Sequence, residues 1–157
     1  MWNTHKMRTQ AYATPHLAVS DIWVRYNDWA NFKGDQAAFN DVHEPVWYPV
    51  ITKIPAAWAL ARKIVRHVGG KKLGGVLITK IPPGGEVKPH IDTGWHAGHY
   101  EKFLVQVKGS ADQAFHFEGE SLSAEPGDLY TFDNSKLHWV TNDSNSDRIS
   151  LIICVRR

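Results

Sequence analysis

The sequence contains little of what would mark a secreted or membrane protein. Cys154 is its one cysteine among 157 residues, so an intramolecular disulfide is excluded. A lone cysteine in the apolar stretch 149–155 suits a reducing compartment, where it behaves as a small apolar side chain. No apolar run reaches membrane-spanning length, and no apolar core of a signal peptide follows Met1. We therefore expect a soluble, cytoplasmic protein that has no membrane partner.

An excess of charge of one sign is also missing. The 18 basic and 16 acidic residues give a formal net charge of +2. This balance provides no electrostatic basis for binding nucleic acid, so nucleic acid is not expected as a partner. Apolar residues make up 43% of the chain, which is enough to build the core of one domain spanning residues 1–157. The oligomeric state cannot be read from these features.

The hydrophobic pattern predicts a mostly β domain with a supporting helix, an α+β arrangement. Residues 55–68 have apolar side chains at helical spacing, a proline in the first turn and two glycines after the end. Short β-rich segments separated by turn residues predict a sandwich or jelly roll, with strands at 19–26, 73–81, 103–107, 114–117, 129–132, 137–140 and 149–155. We expect residues 1–18 to form an irregular arm, 19–72 to support the sheet and 73–157 to form the catalytic core.

Two of the nine histidines stand out by their neighbours. In an extended segment, residues two apart point the same way, so His90 and Asp92 can reach one metal ion. His138 begins a later strand, and two histidines with one carboxylate form the facial triad of non-haem iron(II) oxygenases. A His-x-Asp pair is weak alone, because a turn histidine beside a capping aspartate has the same pattern. His5, His16, His43 and His67 lack ligand-like neighbours and are interpreted as surface or capping residues.

Arg148 opens the final strand, ten positions after His138. A guanidinium group matches the planar geometry of a carboxylate and keeps its charge when partly buried. The alternative is a solvent-exposed arginine on an edge strand. The apolar residues at 149, 151 and 153 favour a buried strand, where an arginine without an anionic partner would be unfavourable.

Three segments together resemble a known enzyme superfamily. Residues 84–92 (GGEVKPHID), 126–138 (PGDLYTFDNSKLH) and 148–153 (RISLII) are similar to the iron(II)/2-oxoglutarate oxygenases. Within that superfamily, the sequence resembles the aspartyl/asparaginyl β-hydroxylase group, which also contains proline hydroxylases. The most specific part is Phe-Asp-Asn-Ser at 132–135, then His138 and Arg148. The resemblance covers about residues 73–155.

The resemblance implies a double-stranded β-helix, a jelly roll of the cupin type. It implies an oxygenase that uses iron(II), 2-oxoglutarate and O2 to hydroxylate an unactivated carbon, releasing succinate and CO2. The substrate would be an amino acid, either free or as a side chain of a peptide or protein. By position, His90, Asp92 and His138 would be the catalytic metal ligands, and Arg148 would bind 2-oxoglutarate. Lys102 falls where the family often has a second arginine for that cosubstrate.

The segment after Asp92 is the candidate substrate-binding region. Gly94 and Gly98 disfavour a helix there, so we expect a loop that presents Trp95, His99 and Tyr100, with Trp139 as a further pocket wall. An ordinary connection with stray aromatic residues explains the same pattern equally well.

Two other functions stay open at this point. A zinc hydrolase would use His96, His99 or His116 as ligands in addition to His90 and Asp92. However, no His-Glu-x-x-His helix is present. A non-catalytic cupin-like binding module would share the barrel. Its first motif is not matched, and Arg148 would have no role in it.

Overall fold

The fold is built from two antiparallel β-sheets. The computed structural model describes residues 1–11 and 13–157. The strands are β1 (Ser20–Tyr26), β2 (Val46–Trp47), β3 (Lys72–Ile81), β4 (Glu86–His90), β5 (Glu101–Lys108), β6 (Gln113–Phe117), β7 (Glu120–Leu122), β8 (Leu129–Phe132), β9 (His138–Asn142) and β10 (Arg148–Arg156). The helices are α1 (Met7–Gln10), α2 (Gln36–Phe39), α3 (Pro55–His67) and α4 (Trp95–His99), with 3₁₀ turns at Trp29–Asn31 and Pro49–Thr52.

The strand order identifies a double-stranded β-helix. One sheet has six strands in the order β2-β1-β3-β10-β5-β8, and the other has four in the order β4-β9-β6-β7. Neighbours in both sheets are mostly distant in sequence, as expected for a jelly roll. The predicted fold class, mostly β with a supporting helix, is confirmed.

An outer core lies between α3 and the six-stranded sheet. The helix begins with Pro55 in its first turn and ends before Gly69, whose φ of 69° is a conformation that favours glycine. Its small buried face fits closely on the sheet, and each large aliphatic side chain buried there contributes about 1.5–3 kcal/mol. The buried members of this core are Ile22, Val24, Ala57, Ala61, Ile64, Val76, Phe103, Val105, Leu151, Ile153 and Val155.

An inner core lies between the two sheets. Its buried members come from both sheets and from the residue before β1: Val19, Ile81, Val87, Leu104, Phe115 and Val140. Strand β10 contributes to both cores because its side chains alternate between faces. Leu151 and Ile153 pack in the outer core, whereas Ile152 packs in the inner one.

The N-terminal arm is docked on the sheets and is more regular than expected. It contains the one-turn helix α1, which corrects the prediction of a wholly irregular segment. Arg8 donates to both carboxylate oxygens of the buried Asp21 at 2.7 and 2.8 Å. The backbone N–H of Lys88 in β4 donates to the carbonyl of Pro15 at 2.9 Å. The arm therefore bridges the six-stranded and the four-stranded sheet.

Two further predictions about elements were wrong or incomplete. The segment after Asp92 contains α4, a one-turn helix, where a loop was expected. Gly94 lies before the helix with a φ of 88°, so it starts the turn and does not interrupt it. Strands β2 and β7 were missed because they have only two and three residues. Strand β4 was not predicted either, although the His90 to Asp92 segment was expected to be extended. Among the described residues, no helix has the length and apolar character needed to cross a membrane.

Candidate metal centre

Two histidines face each other across neighbouring strands. His90 ends β4 and His138 begins β9, and the two are direct cross-strand partners with ring centroids 4.4 Å apart. Asp92 follows β4, with Oδ1 3.8 Å from His90 Nε2 and Oδ2 3.8 Å from His138 Nε2. The candidate ligand atoms of the three residues lie within 4.8 Å of one another. The structure thus brings together the three predicted ligands.

A β-bulge turns His90 toward the interior. The register of β4 against β9 shifts by one residue between Val87 and His90. Val87 packs in the inner core, and in a regular strand a residue three positions later would face the opposite side. The extra residue restores the inward direction for His90. Pro89, which has no N–H for the ladder, lies within this irregular stretch.

Both histidine rings are held by the same local hydrogen bond. His90 Nδ1 lies 2.8 Å from the carbonyl oxygen of Lys88, and His138 Nδ1 lies 2.8 Å from that of Lys136. A carbonyl oxygen only accepts, so each Nδ1 carries the proton and each Nε2 keeps a free lone pair. The Nε2 atoms are the ones that face Asp92, as a metal ligand set requires.

The protonation states also suit a metal ion. Burial lowers the pKa of His90 and of His138, although the Lys88 and Lys136 carbonyls partly oppose this. Burial alone would raise the pKa of Asp92, but the neighbouring Lys102 ammonium, together with His138 and His90, outweighs burial and lowers it. At neutral pH the three residues are two neutral imidazoles and a carboxylate. That donor set fits iron(II) in a facial arrangement.

The Phe-Asp-Asn-Ser segment before β9 has a structural role at this site. The carbonyl of Asn134 accepts a hydrogen bond from the backbone N–H of Asp92 at 3.0 Å. The Asn134 side chain donates to the carbonyl of Ala97 in α4 at 3.2 Å. The segment therefore connects both Asp92, which follows β4, and α4 to the start of β9.

Arg148 is buried inside the sandwich, with 3% of its surface exposed. Its Nη1 donates to Ser150 Oγ at 2.8 Å, and its Nη2 donates to the Tyr130 hydroxyl at 2.9 Å. Ser150 in turn donates to Gln106 at 3.2 Å, which orients the hydroxyl. In the part of the chain that the structure describes, no carboxylate lies within ion-pair distance of Arg148. Among the described residues, the hydrogen-bond partners of the guanidinium group are thus all neutral.

Two cavities meet at the metal centre. The smaller, of about 50 Å³, is lined by His90, His138 and Arg148 together with inner-core residues. The larger, of about 160 Å³, lies between the six-stranded sheet and α4 and is lined by Asp92 and His96. Four residues line both cavities, which makes them contiguous: Arg8, His16, Lys102 and Ile152.

Lys102 lies beside the candidate metal ligands. It lies on β5, and its ammonium group is paired with Asp92 Oδ2. It also lines the small cavity that Arg148 lines. Its role as a 2-oxoglutarate contact stays a prediction, while the structure adds a direct contact with a candidate metal ligand.

The predicted substrate residues fall into separate places. His99 and Tyr100 line an open groove of about 930 Å³ that reaches Asp92. Trp95 stacks on His99, with ring centroids 4.6 Å apart. Trp139 lies on the face of β9 opposite His138 and stacks on His116, so it is not brought to either cavity. Alternation along β9 explains this, since adjacent residues face opposite sides.

The interpretation of His16 and His43 as surface or capping residues was wrong. His16 packs edge-on against His90 at 4.8 Å. His43 is buried and stacks on His96 at 5.5 Å. Both interactions join segments far apart in sequence, so no local pattern could predict them.

The additional zinc ligands are not brought to His90 and Asp92. His116 lies 2.9 Å from the Thr141 hydroxyl, and His99 Nε2 lies 3.0 Å from an Arg156 nitrogen. Both ring nitrogens of His96 are buried and have no hydrogen-bond partner in the described part of the chain. Over residues 1–11 and 13–157, the one group of three or more potential ligands is His90, Asp92 and His138.

Sequence reasoning missed several residues that complete the site. Tyr130 and Gln106 hold Arg148 directly and through Ser150. The signal for Ser150 was present, because a residue two positions after Arg148 in a strand shares its face. Arg8 and His16 carried no such signal, since only the docked arm places them beside the cavities.

Comparisons with solved structures find proteins of similar fold. A predicted oxalate decarboxylase from Thermotoga maritima is 22% identical, with a TM-score of 0.44 over 60% of this chain and 74% of that one. A cupin domain from Bordetella pertussis is 19% identical, with a TM-score of 0.43 over 55% and 85% of the two chains. A cupin domain of an XRE family regulator from Enterobacter cloacae is 14% identical, with a TM-score of 0.42 over 53% and 80%. No curated protein matches the chain.

A family model gives a more specific assignment. The model described as aspartyl/asparaginyl beta-hydroxylase matches residues 7–157. The match includes the arm from residue 7 onward, the three candidate ligands and Arg148. The resemblance found in the sequence is thereby confirmed, and the chain belongs to the aspartyl/asparaginyl β-hydroxylase family.

Proposed function

We propose that the protein is an iron(II)- and 2-oxoglutarate-dependent oxygenase that hydroxylates an unactivated carbon. His90, Asp92 and His138 would hold the metal through two Nε2 atoms and a carboxylate. Bound iron(II) would supply the activation of O2 that hydroxylation of such a carbon requires. The observation that carries the proposal is the buried Arg148, which lines the same cavity as both histidines and has no carboxylate partner among the described residues.

Arg148 supports a dicarboxylate as cosubstrate. A guanidinium group has five N–H donors, and the described contacts engage two of its terminal nitrogens with neutral hydroxyls. A buried cation with neutral partners attracts an anion strongly, because little water screens it. The distal carboxylate of 2-oxoglutarate fits this requirement. A metal ion held by the neighbouring triad would bind the other end of the molecule. Neither a zinc hydrolase nor a passive cupin module assigns a role to this arginine.

The substrate would be an amino acid, either free or within a polypeptide. The larger cavity and the open groove both reach Asp92, so a reacting carbon can approach the metal ligands from either space. The apolar wall residues Phe115, Phe132 and Ile152 keep water away from the inner side of the site. His96, which is also buried, gives the larger cavity an uncharged polar wall.

The first experiment tests the metal and the cosubstrate by calorimetry. Mn²⁺-loaded protein under anaerobic conditions should bind 2-oxoglutarate. His90→Ala should abolish Mn²⁺ binding, because it removes one of three ligands. His116→Ala is the matched control, since His116 bonds to Thr141 away from the triad, and it should bind Mn²⁺ as the wild type does.

A wild-type protein that binds Mn²⁺ but has no affinity for 2-oxoglutarate would contradict the proposal. Zinc retained through purification, together with hydrolase activity, would favour the zinc alternative. If binding is found, a screen of amino acids and peptides for succinate formation, followed by mass spectrometry for the gain of one oxygen, identifies the substrate.

A further inference from the structure

Resting on the proposed function, we propose that Lys102 is a positioning residue that competes with the metal ion for Asp92. In the metal-free protein its ammonium group neutralises the carboxylate and holds it in place. When a divalent cation binds, that cation takes over the carboxylate and the ammonium is released. Lys102 would therefore lower the metal affinity while stabilising the metal-free site.

The geometry places the ammonium where a metal would compete with it. Lys102 Nζ contacts Asp92 Oδ2, the same oxygen that lies 3.8 Å from His138 Nε2. The other oxygen lies 3.8 Å from His90 Nε2. Both oxygens thus face groups that a metal ion would approach. The Lys102 and Asp92 side chains are only 21% and 15% exposed, so solvent screens this pair weakly.

Neither partner has a substitute nearby. Among the described residues, Lys102 is the one Lys or Arg paired with Asp92, and Asp92 is the one carboxylate paired with Lys102. Of the residues that the structure describes, Asp92 is also the one carboxylate that lines either cavity. Arg8 and Arg148 add further positive charge to the walls, and Asp21 holds only the first of these.

These charges fix the sign of the expected effect. A divalent ion at the triad would lie close to the Lys102 ammonium, and the repulsion between like charges opposes its binding. Removing the ammonium should therefore tighten metal binding. The same removal leaves Asp92 as a partly buried carboxylate without its cation, which should destabilise the metal-free protein.

Metal binding would also change the cavity that Arg148 lines. Lys102 lines that cavity as well as the larger one. Once released from Asp92, its ammonium becomes available to an anion entering beside Arg148. The competition would thus couple occupation of the metal site to the affinity of the neighbouring cavity for a carboxylate.

The first test measures Mn²⁺ affinity by calorimetry at constant pH. Lys102→Met keeps the length and apolar stem of the side chain and should bind Mn²⁺ about tenfold tighter than the wild type, or more. Lys102→Arg keeps the charge and should stay within about threefold. Lys108→Met, at the exposed end of the same strand, is the control and should also stay within about threefold. Unchanged or weaker binding by Lys102→Met, with normal binding by the wild type, would overturn the competition.

The second test needs no metal. A double-mutant cycle compares the free energy of unfolding of the metal-free wild type, Lys102→Met, Asp92→Asn and the double variant. Lys102→Met should destabilise the protein when Asp92 is present and should have little effect beside Asp92→Asn. Equal destabilisation in both backgrounds would show that the two side chains are not coupled and would overturn the proposal. A wild-type protein that does not bind Mn²⁺ would instead overturn the proposed function, and the competition with it.

Discussion

The two faces of the six-stranded sheet differ in composition and in role. Its outer face, under α3, carries aliphatic side chains such as Leu151, Ile153 and Val155. Its inner face carries Arg148 and Ser150, joined by a hydrogen bond within the sandwich. Both sets come from β10, so one strand divides its residues between a layer that stabilises the fold and a layer that forms the site. Stability and binding should therefore respond to different substitutions, even at adjacent positions.

The largest expected effect comes from the inner face. Arg148→Met keeps an unbranched apolar side chain but removes the cation. The affinity of the Mn²⁺-loaded protein for 2-oxoglutarate should fall about a hundredfold, as expected when one partner of a buried charge pair is lost. Calorimetry measures both ligands, and Mn²⁺ affinity should stay unchanged because Arg148 is neither a metal ligand nor paired with Asp92. An unchanged 2-oxoglutarate affinity would show that the arginine is misassigned.

The outer face should give the opposite result. Ile153→Ala should lower the free energy of unfolding by about 2–5 kcal/mol, because it leaves a cavity in the core against α3. Urea denaturation measures this loss. The folded variant should bind Mn²⁺ and 2-oxoglutarate as the wild type does. A loss of affinity comparable to that of Arg148→Met would break the separation between the two layers.

A third effect should appear in acid. Burial lowers the pKa of His96 to about 3, while the unfolded residue has a pKa of about 6.5. Between these values the unfolded chain binds the proton and the folded one does not. The free energy of unfolding should therefore fall, as the pH drops from about 6.5 toward 3, by about 1.4 kcal/mol per pH unit from this residue.

His96→Gln removes this contribution and should flatten the acid side of the stability profile. Urea denaturation at a series of pH values measures the slope. His67→Gln, on the exposed face of α3, is the control and should keep the wild-type slope. An unchanged slope in His96→Gln would mean that His96 is not the group responsible.

The smallest expected effect concerns the support of Arg148. Tyr130→Phe removes the hydroxyl that accepts from Nη2 at 2.9 Å. The affinity for 2-oxoglutarate should fall by about two- to tenfold, since one hydrogen bond contributes about 0.5–1.5 kcal/mol. Tyr48→Phe loses a hydroxyl outside both cavities and is the control. Calorimetry with both variants would show whether the inner layer acts as a connected network.

The fold, and the part of the candidate site around His138 and Arg148, could be predicted because their sequence signals are local. β-Rich segments bounded by turn residues identified the long strands, and helical spacing identified α3. The Phe-Asp-Asn-Ser segment with His138 and Arg148 carried a family pattern. A loop was wrongly predicted where α4 lies, because the local penalty for glycine in a helix was given more weight than packing, which buries His96.

Contacts that depend on how separate elements pack together could not be predicted in this way. The contact of His16 with His90 depends on the docking of the arm. The pairing of Lys102 with Asp92 depends on how β5 lies relative to the end of β4. Neither follows from spacing along the chain, because the arm is placed by its docking and because β4 and β5 belong to different sheets.

The bulge in β4 has a consequence for how the metal site is encoded. Val87 and His90 share the inner face only because one extra residue interrupts the ladder between them. The site therefore depends on the phase between two strands as well as on the identity of the ligands. A stretch of the same length that paired without the bulge would leave all three ligands in the sequence and still turn the His90 imidazole to the outside. A search for related sites that compares only the ligand residues would miss the need for this bulge. A search that also compares the number of residues between Val87 and His90 would detect it.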